Sequence, residues 1–261
     1  MKRTLIPSLP QGLPESVLSL AQGANIYDSS CSPEARVYFL DKDKGYYLKI
    51  APKGALRREA EMTAYFNSLE LGTTVLDYIS QDSDLLVTEK MAGEDCTFAK
   101  YLDDPKRLCD TLATQLRKLH EITPTGCPVS NRTAEYIATV DTNYSKGLFD
   151  LSLFSGVREY KNAHEAYRIF SQYKGALAAD TLIHGDFCLP NVMLDDWRLS
   201  GFIDLGNGGV GDRHIDLFWG TWTLWFNLKT NQYKDRFIDA YGRDRVSEEL
   251  LEAIAAAEVF G

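Results

Sequence analysis

Residues 184–206 read HGDFCLPNVMLDDWRLSGFIDLG, and this stretch decides how the rest of the chain is understood. Apolar Leu182 and Ile183 bring the chain to His184-Gly185-Asp186, and Asn191 then leads into an apolar run, residues 192–194. Asp195 and Asp196 turn it back into residues 199–203, which end at Asp204. Two short strands joined by a tight turn place Asn191 and Asp204 at neighbouring ends. An aspartate held on a loop is a candidate base, and an asparagine beside an aspartate is a pair of hard oxygen ligands of the kind Mg2+ takes. Metal-assisted phosphoryl transfer needs this set, because there the protein mainly positions groups and neutralises charge.

Such a site also needs a cation for the phosphates, and the first third of the chain offers one. Residues 35–40 (ARVYFL) and 45–50 (GYYLKI) are aromatic and β-branched around the polar turn 41–44, which predicts a hairpin. Lys49 shares a strand face with Tyr47. A strand lysine is ordinarily solvated; one that holds phosphates requires a carboxylate to fix it. The run at 57–69 (RREAEMTAYFNSL) has helical spacing, is ended by Gly72, and brings Glu59 into position to supply that carboxylate. Glu61 competes, but the two project about 200° apart on a helix, so only one faces Lys49. Two more strands, 75–79 and 85–88, flank a polar turn at 81–84. The loop at residues 28–33 (DSSCSP) offers Ser29, Ser30 and Ser32 as donors to a phosphate, although it has no glycine and an ordinary turn explains it equally well.

Beyond residue 91 the pattern becomes helical. Asp103 or Asp104 caps a helix with Pro105 in its first turn, and Leu108, Leu112, Leu116 and Leu119 form its apolar stripe through His120. A second helix starts at Asn131 or Thr133 and runs to residue 144, and a third spans 157–173. A strand at 181–183 precedes the opening stretch, and a helical tail from 212 to 260 is broken at Gly242. The chain therefore reads as α+β, with an N-terminal sheet lobe at 1–91 and a mainly helical lobe at 92–261.

Other patterns point away from this chemistry. GNGGVG at 206–211 is a literal G-x-G-x-x-G, but a dinucleotide fold needs a parallel strand after the next helix and only helix follows, so the glycines read as a sharp turn. Asp212 and Asp216 flank His214 and suit helix capping. His120, His164 and His214 have no metal-triad spacing, and no G-x-S-x-G occurs. Trp219, Trp222 and Trp225 at helical spacing read as core rather than as a stacking platform.

The 261 residues carry a net charge of −9, which argues against nucleic acid and favours a cationic small molecule. Five dispersed cysteines without a C-x-x-C pair suggest neither a disulfide framework nor zinc, and fit the reduced cytoplasm. Pro7, Pro10 and Pro14 interrupt the start, so no signal peptide is expected. The apolar run at 217–226 is too short for a membrane span and reads as a buried helix.

With HGDFCLPN and SGFIDLG, YYLKIAP, the RREAE helix, LLVTEKMAG, Cys127-Pro128 before Asn131, and the closing AEVF, the chain resembles the aminoglycoside phosphotransferases over nearly its whole length. Within that family it is most similar to the 3'-phosphotransferases that act on kanamycin and neomycin. The resemblance implies a two-lobed protein-kinase-like fold, a cytoplasmic monomer or weak dimer, and ATP (GTP as the alternative) with Mg2+ between the lobes. It implies that Lys49 contacts the nucleotide phosphates with Glu59 as its partner, that Ser32 lies in the phosphate loop, and that Thr88, Glu89 and Met91 form the adenine hinge. Asp186 would be the base, Asn191 and Asp204 the metal ligands, and Asn131 and Glu258 drug contacts.

The departures lie on the acceptor side. Asn207 follows D-L-G where an arginine is frequent, Leu189, Asn227 and Ala257 stand where some relatives carry acids, and Gly261 extends past the usual terminal phenylalanine. Weaker polyamine binding follows from fewer charge-assisted contacts. A kinase of streptomycin, a macrolide or a choline-like compound is the alternative within the same resemblance.

Overall fold

The structure, a computed structural model, describes residues 3–152 and 159–261. These form two compact units: one takes the described residues up to Cys96 together with Pro190–Asn207, the other those of Thr97–Leu189 and Gly208–Gly261. A boundary at residue 91 was expected from sequence. The first unit instead continues to Cys96 and takes back residues 190–207, because a short strand after residue 91 pairs with the second half of the HGD stretch.

In chain order the first unit contains β1 (Thr4–Ile6), α1 (Glu15–Ala21), β2 (Asn25–Asp28), β3 (Arg36–Asp41), β4 (Tyr46–Pro52), α2 (Arg57–Ser68), β5 (Val75–Ser80), β6 (Ser83–Glu89) and β7 (Glu94–Asp95). Six of these strands make an antiparallel sheet in the order β1-β2-β3-β4-β6-β5. Alternation along β4 and β6 sorts the residues onto two faces. Leu48, Leu85 and Val87 join Leu40, Tyr38 and Val17 of α1 on one face. On the other, Ala51 and Leu86 pack against Leu56 and Ala60 of α2. Lys49 lies opposite Leu86 in register, so it stands on the face that α2 covers.

Two expectations change here. Gly72 does not terminate α2; the helix ends at Ser68, and Glu70 takes the left-handed conformation (φ 61°) that reverses the chain. Gly72 is needed for close approach, since a Cβ there would lie 2.8 Å from the backbone N of Asn67. Asp84 belongs to β6 rather than to a polar turn. It is fully buried and accepts hydrogen bonds from the Leu56 N–H, the Tyr78 hydroxyl and the Ser80 hydroxyl. Burial pushes its carboxyl up, but these bonds and one from the Gly54 N–H overcome that and hold it down at about 2.

The second unit opens with α3 (Ala99–Leu102), α4 (Pro105–His120), α5 (Arg132–Lys146), α6 (Ala163–Tyr173) and β8 (Thr181–Ile183). Asp104 and Asn131 are the caps, accepting from the backbone N–H of Arg107 and of Ala134. The four stripe leucines of α4 are buried as expected. The helix expected over 157–173 begins only at Ala163, capped by Asn162, and residues 157–158 lie outside the described residues.

The chain then returns to the first unit for β9 (Val192–Asp195) and β10 (Arg198–Phe202), which with β7 form a sheet in the order β10-β9-β7. Asp196 and Trp197 turn between them with φ of 44° and 70°, the doubly left-handed geometry of a tight hairpin. Back in the second unit, β11 (Gly209–Gly211) pairs antiparallel with β8, followed by α7 (Arg213–Leu228), α8 (Lys234–Tyr241) and α9 (Glu248–Ala257). The glycine run is thus partly a strand, and not a cofactor loop. A Cβ at Gly209 would come within 2.7 Å of Val129 Cγ1, so glycine is required for packing. The tail breaks at Lys229 (φ 55°) as well as at Gly242. No helix among the described residues is long and apolar enough to cross a membrane.

Candidate active site

In the first unit, β4 presents Lys49, α2 presents Glu59, and the end of β10 leads to Asp204. Lys49 Nζ donates to both Glu59 carboxylate oxygens, at 2.9 and 2.8 Å, and to Asp204 Oδ1 at 2.8 Å. Burial alone would lower the lysine, but the Asp204 and Glu59 carboxylates outweigh it and raise its pKa above the ordinary value. The same burial pushes the Glu59 carboxyl up against the pull of Lys49. Glu61 is the wrong neighbour: it is exposed and pairs with Arg57 at 2.9 Å, one helical turn away.

Asp204 carries a left-handed backbone (φ 57°), an uncommon conformation for a side chain-bearing residue and one concentrated at functional sites. The Ile203 N–H donates to the Asn191 carbonyl at 3.1 Å, so the chain directions expected from the two strands do bring positions 191 and 204 together. Asn191 is buried, whereas the Asp204 side chain is 44% exposed. No group of three or more His, Cys, Asp or Glu side chains suited to a metal occurs among the described residues. Two protein oxygens fit an ion that takes its remaining ligands from phosphates and water, which is how Mg2+ is commonly held at nucleotides.

The remaining positions expected on the nucleotide side are spread along the same unit. Thr88 and Glu89 end β6; the Glu89 N–H donates to the Thr74 carbonyl, and its own carbonyl accepts from the Thr73 hydroxyl at 2.6 Å. Met91 follows, its methyl 2.7 Å from where a Cβ would stand on Gly201. Between β2 and β3 the loop is tied by its own residues: Ser30 N–H donates to Asp28, the Val37 N–H donates to the Ser30 hydroxyl, and the Ser32 hydroxyl bonds Glu34.

In the second unit, Asp186 follows β8 in a loop fixed from below. Both oxygens of buried Asp216, in the first turn of α7, accept backbone N–H bonds at 2.7 Å, from His184 and from Gly185. The ring of His120 meets the same carboxylate at 3.1 Å through Nε2, and the Tyr241 hydroxyl at 2.9 Å through Nδ1. Burial pushes the His120 pKa down despite Asp216, so the neutral ring carries its hydrogen on Nε2 toward the carboxylate and accepts from Tyr241. The His184 Nδ1 accepts from the Asp186 N–H at 3.2 Å. Asp216 therefore holds the loop, and the helix-capping role expected of it belongs to Asp212, which accepts from the His214 N–H.

Glu258 is buried at the end of α9. The Tyr136 hydroxyl of α5 donates to it at 2.8 Å and the Trp219 indole N–H of α7 also donates. Burial, opposed by those two bonds and assisted by the charge of Asp186, pushes its carboxyl up to about 7. Cys188 is a half-buried thiol, pushed up by burial and then by Asp186. Asn131 is occupied as the α5 cap, its Oδ1 accepting from Ala134 at 2.9 Å. The sequence reading missed Asp216 as a loop anchor, together with His120, Tyr241, Tyr136 and Trp219. The only advance signal was the unusual density of polar residues at the start of an otherwise apolar helix.

A profile of the phosphotransferase enzyme family matches residues 33–251. The chain is 49% identical over 249 residues to a probable aminoglycoside 3'-phosphotransferase of Lactococcus lactis subsp. lactis (strain IL1403), covering 95% of each chain. Among solved structures, it is similar in fold to an aminoglycoside-3'-phosphotransferase of type VIII, with a TM-score of 0.75 and 24% identity over 92% of this chain and 94% of that one. It is also similar to an aminoglycoside phosphotransferase of Streptomyces rimosus in complex with ADP and streptomycin, with a TM-score of 0.72 and 22% identity over 93% and 97% of the two chains. The lysine held between two carboxylates, the anchored HGD loop and these likenesses together place the chain in the phosphotransferase enzyme family, among the aminoglycoside 3'-phosphotransferases, as an O-phosphotransferase.

Proposed function

We propose that this enzyme transfers the γ-phosphoryl group of ATP to a hydroxyl of an aminoglycoside, the 3'-hydroxyl foremost. The observation that carries this reading is the Lys49 ammonium fixed between Glu59 and Asp204, a cation oriented by one buried carboxylate and placed beside a second, exposed one. Lys49 meets the nucleotide phosphates, with Glu59 holding its rotamer. Ser32 lies in the loop on the phosphate side, and Thr88, Glu89 and Met91 contact the base. Asn191 and Asp204 would hold Mg2+, which when bound supplies charge neutralisation at the phosphates.

On the acceptor side Asp186 orients the hydroxyl and accepts its proton, because the His184 and Gly185 backbone is tied to Asp216 and cannot drift. Glu258 and Asn131 contact the acceptor, and the net charge of −9 favours a cationic one. The relatives named aminoglycoside 3'-phosphotransferase support this choice of acceptor. A second reading, a kinase of a less cationic hydroxyl compound, is favoured by one observation: Leu189 and Ala257 are fully buried and apolar, and the Asn227 amide turns back onto the Thr223 carbonyl at 2.8 Å.

An ADP-release assay over kanamycin, neomycin, streptomycin, a macrolide and choline decides between them, followed by location of the phosphate on the product. Asp186→Ala is the blank, expected to lose about 10²- to 10⁴-fold in kcat with its fold retained. Normal ATP-dependent turnover by that variant would sink the reading.

A further inference from the structure

We propose that Arg3 is a nucleotide-binding residue, whose guanidinium lies across the Lys49 face of the six-stranded sheet and offers its open side as the surface on which the purine ring stacks. This assignment rests on the functional reading above and adds to the site a residue outside every motif from which that reading was drawn.

Strand register fixes the place. Paired residues of neighbouring strands point to the same face of a sheet. Leu5 pairs with Tyr27, Tyr27 with Phe39, Phe39 with Tyr47 and Tyr47 with Thr88, so these side chains form one row across β1, β2, β3, β4 and β6. Tyr47 is two residues before Lys49 on β4, which puts the row on the Lys49 face, about 7 Å along the strand. Helix α2 covers the other end of that face, at Ala51 and Leu86. The end at Tyr47 is thus left for a base whose phosphates lie at Lys49, and Thr88, assigned above to the base, stands in the same row.

Arg3 crosses this row. It stands two residues before Leu5, and its side chain reaches from the edge of the sheet over β3 to β4. The guanidinium carbon sits 3.6 Å from the centre of the Phe39 ring, and Nη2 donates to the Tyr47 hydroxyl at 2.7 Å. That separation is the contact thickness of two flat groups, so the guanidinium lies on the ring rather than pointing an N–H into it. The ring itself lies low over β4, where a Cβ on Gly45 would come within 2.9 Å of Phe39 Cε2. Phe39 is only 3% exposed, while Arg3 remains exposed. The ring is closed to a ligand, and the outer plane of the guanidinium is the open surface.

Charge and shape name the occupant. Arginine planes stack on flat π systems, and a purine is such a system. The Tyr47 hydroxyl is neutral, and among the described residues no carboxylate pairs with Arg3, although the chain has 37 acidic against 28 basic side chains. A cation left unpaired amid that excess suits an anionic ligand, and a nucleotide brings both a flat base and negative phosphates.

The test displaces a fluorescent ATP analogue with ATP and with adenosine, in wild type, Arg3→Ala and Arg36→Ala, alongside ADP release. Loss of an exposed cation from the face of a π system predicts that the Kd of ATP rises about fivefold in Arg3→Ala, and that of adenosine by the same factor, because the purine is common to both. KM for ATP rises in parallel, while kcat and the acceptor KM stay as in wild type. Arg36→Ala removes an exposed cation from the opposite face of β3, paired there with Asp28 at 3.8 Å, and leaves both Kd values unchanged. Because Arg3 is exposed, its variant folds.

Unchanged Kd values in Arg3→Ala overturn the assignment. Tighter binding also overturns it, since the guanidinium would then occupy the place of the base. So does a rise for ATP alone, which would make Arg3 a charge acting on the phosphates and not a stacking surface. If wild type binds ATP but releases no ADP with any acceptor, the phosphotransfer reading fails and the Kd comparison still judges Arg3. If wild type binds neither ATP nor adenosine, both fail.

Discussion

Around Lys49, in the first unit, three charged side chains meet within 2.9 Å; around Glu258, in the second, one carboxyl is enclosed by a tyrosine hydroxyl, an indole N–H and aromatic rings. The first cluster sets opposite charge against desolvation, and the Lys49 pKa rises above its ordinary value. The second has no adjacent cation of equal strength, so its carboxyl is held close to neutrality. A nucleotide always brings the same phosphates, and a fixed set of charges serves it. Acceptors differ in shape and in amino groups, and on the proposed acceptor role of Glu258 aromatic walls around one titratable carboxyl would discriminate by shape as well as charge.

Removing Asp204 should break the first cluster most severely. Asp204→Ala leaves the Lys49–Glu59 pair intact and takes away a half-exposed side chain, so the fold should hold. Loss of a carboxylate proposed to hold Mg2+ at the phosphates predicts a drop of about 10³-fold in kcat, read by ADP release. A drop below about tenfold would mean that Asp204 serves only to neutralise Lys49.

Next in size is Asp216→Asn in the second unit. An asparagine accepts from only one of the two backbone N–H groups and turns an N–H2 toward the other or toward His120. Leaving buried donors unpaired predicts a loss of about 3 kcal/mol in stability by denaturant unfolding, with kcat reduced through the displaced Asp186. Unchanged stability would show that the loop is held by packing alone.

How much of these two clusters the sequence disclosed follows from the range of the interactions. The meeting of Lys49, Glu59 and Asp204 was readable because strand alternation, helical spacing and one hairpin fix them locally. Choosing Glu59 over Glu61 needed only the knowledge of which helix face meets β4. Asp216, His120 and Tyr241 were not readable: their bonds join residues up to 121 positions apart, and helix-capping chemistry offered a sufficient local explanation for Asp216. Trp219, Trp222 and Trp225 were taken for core and are half-buried, since helical spacing states that they share a stripe, not which side of the helix is covered. Gly209 and Gly211 similarly matched a turn motif while packing decided their strand.

The pH response sharpens the contrast between the clusters. With its carboxyl at about 7 instead of the ordinary 4.5, Glu258 favours the folded state most when protonated. Its contribution is complete below about pH 4.5, falls as pH rises through 7, and is gone above, a swing on the order of 3 kcal/mol from the linkage relation. Tyr136, Trp219 and Arg132 pull its carboxyl down and Asp186 pushes it up, and together they do not offset its burial. Glu258→Gln should therefore remove a fall in Tm between pH 5 and 7.5 that wild type shows; parallel curves for the two proteins would refute it.

The smallest effect compares two glutamates two positions apart on α2. Glu59→Gln keeps shape and hydrogen-bonding capacity but removes the charge that, with Asp204, holds Lys49 cationic and oriented. Losing one arm of that clamp lets the ammonium follow Asp204, so kcat should fall about tenfold, the cost of roughly 1.4 kcal/mol in positioning. Glu61→Gln removes an exposed pair with Arg57 and should change neither turnover nor stability by more than about 0.5 kcal/mol. Because both variants lie on one helix turn and lose one negative charge each, any effect of net charge or helix stability is shared between them. A difference in kcat then reports only which face of α2 looks at Lys49. Equal losses in the two variants would show that the lysine is oriented by Asp204 alone, and that the charge of Glu59 only balances its burial.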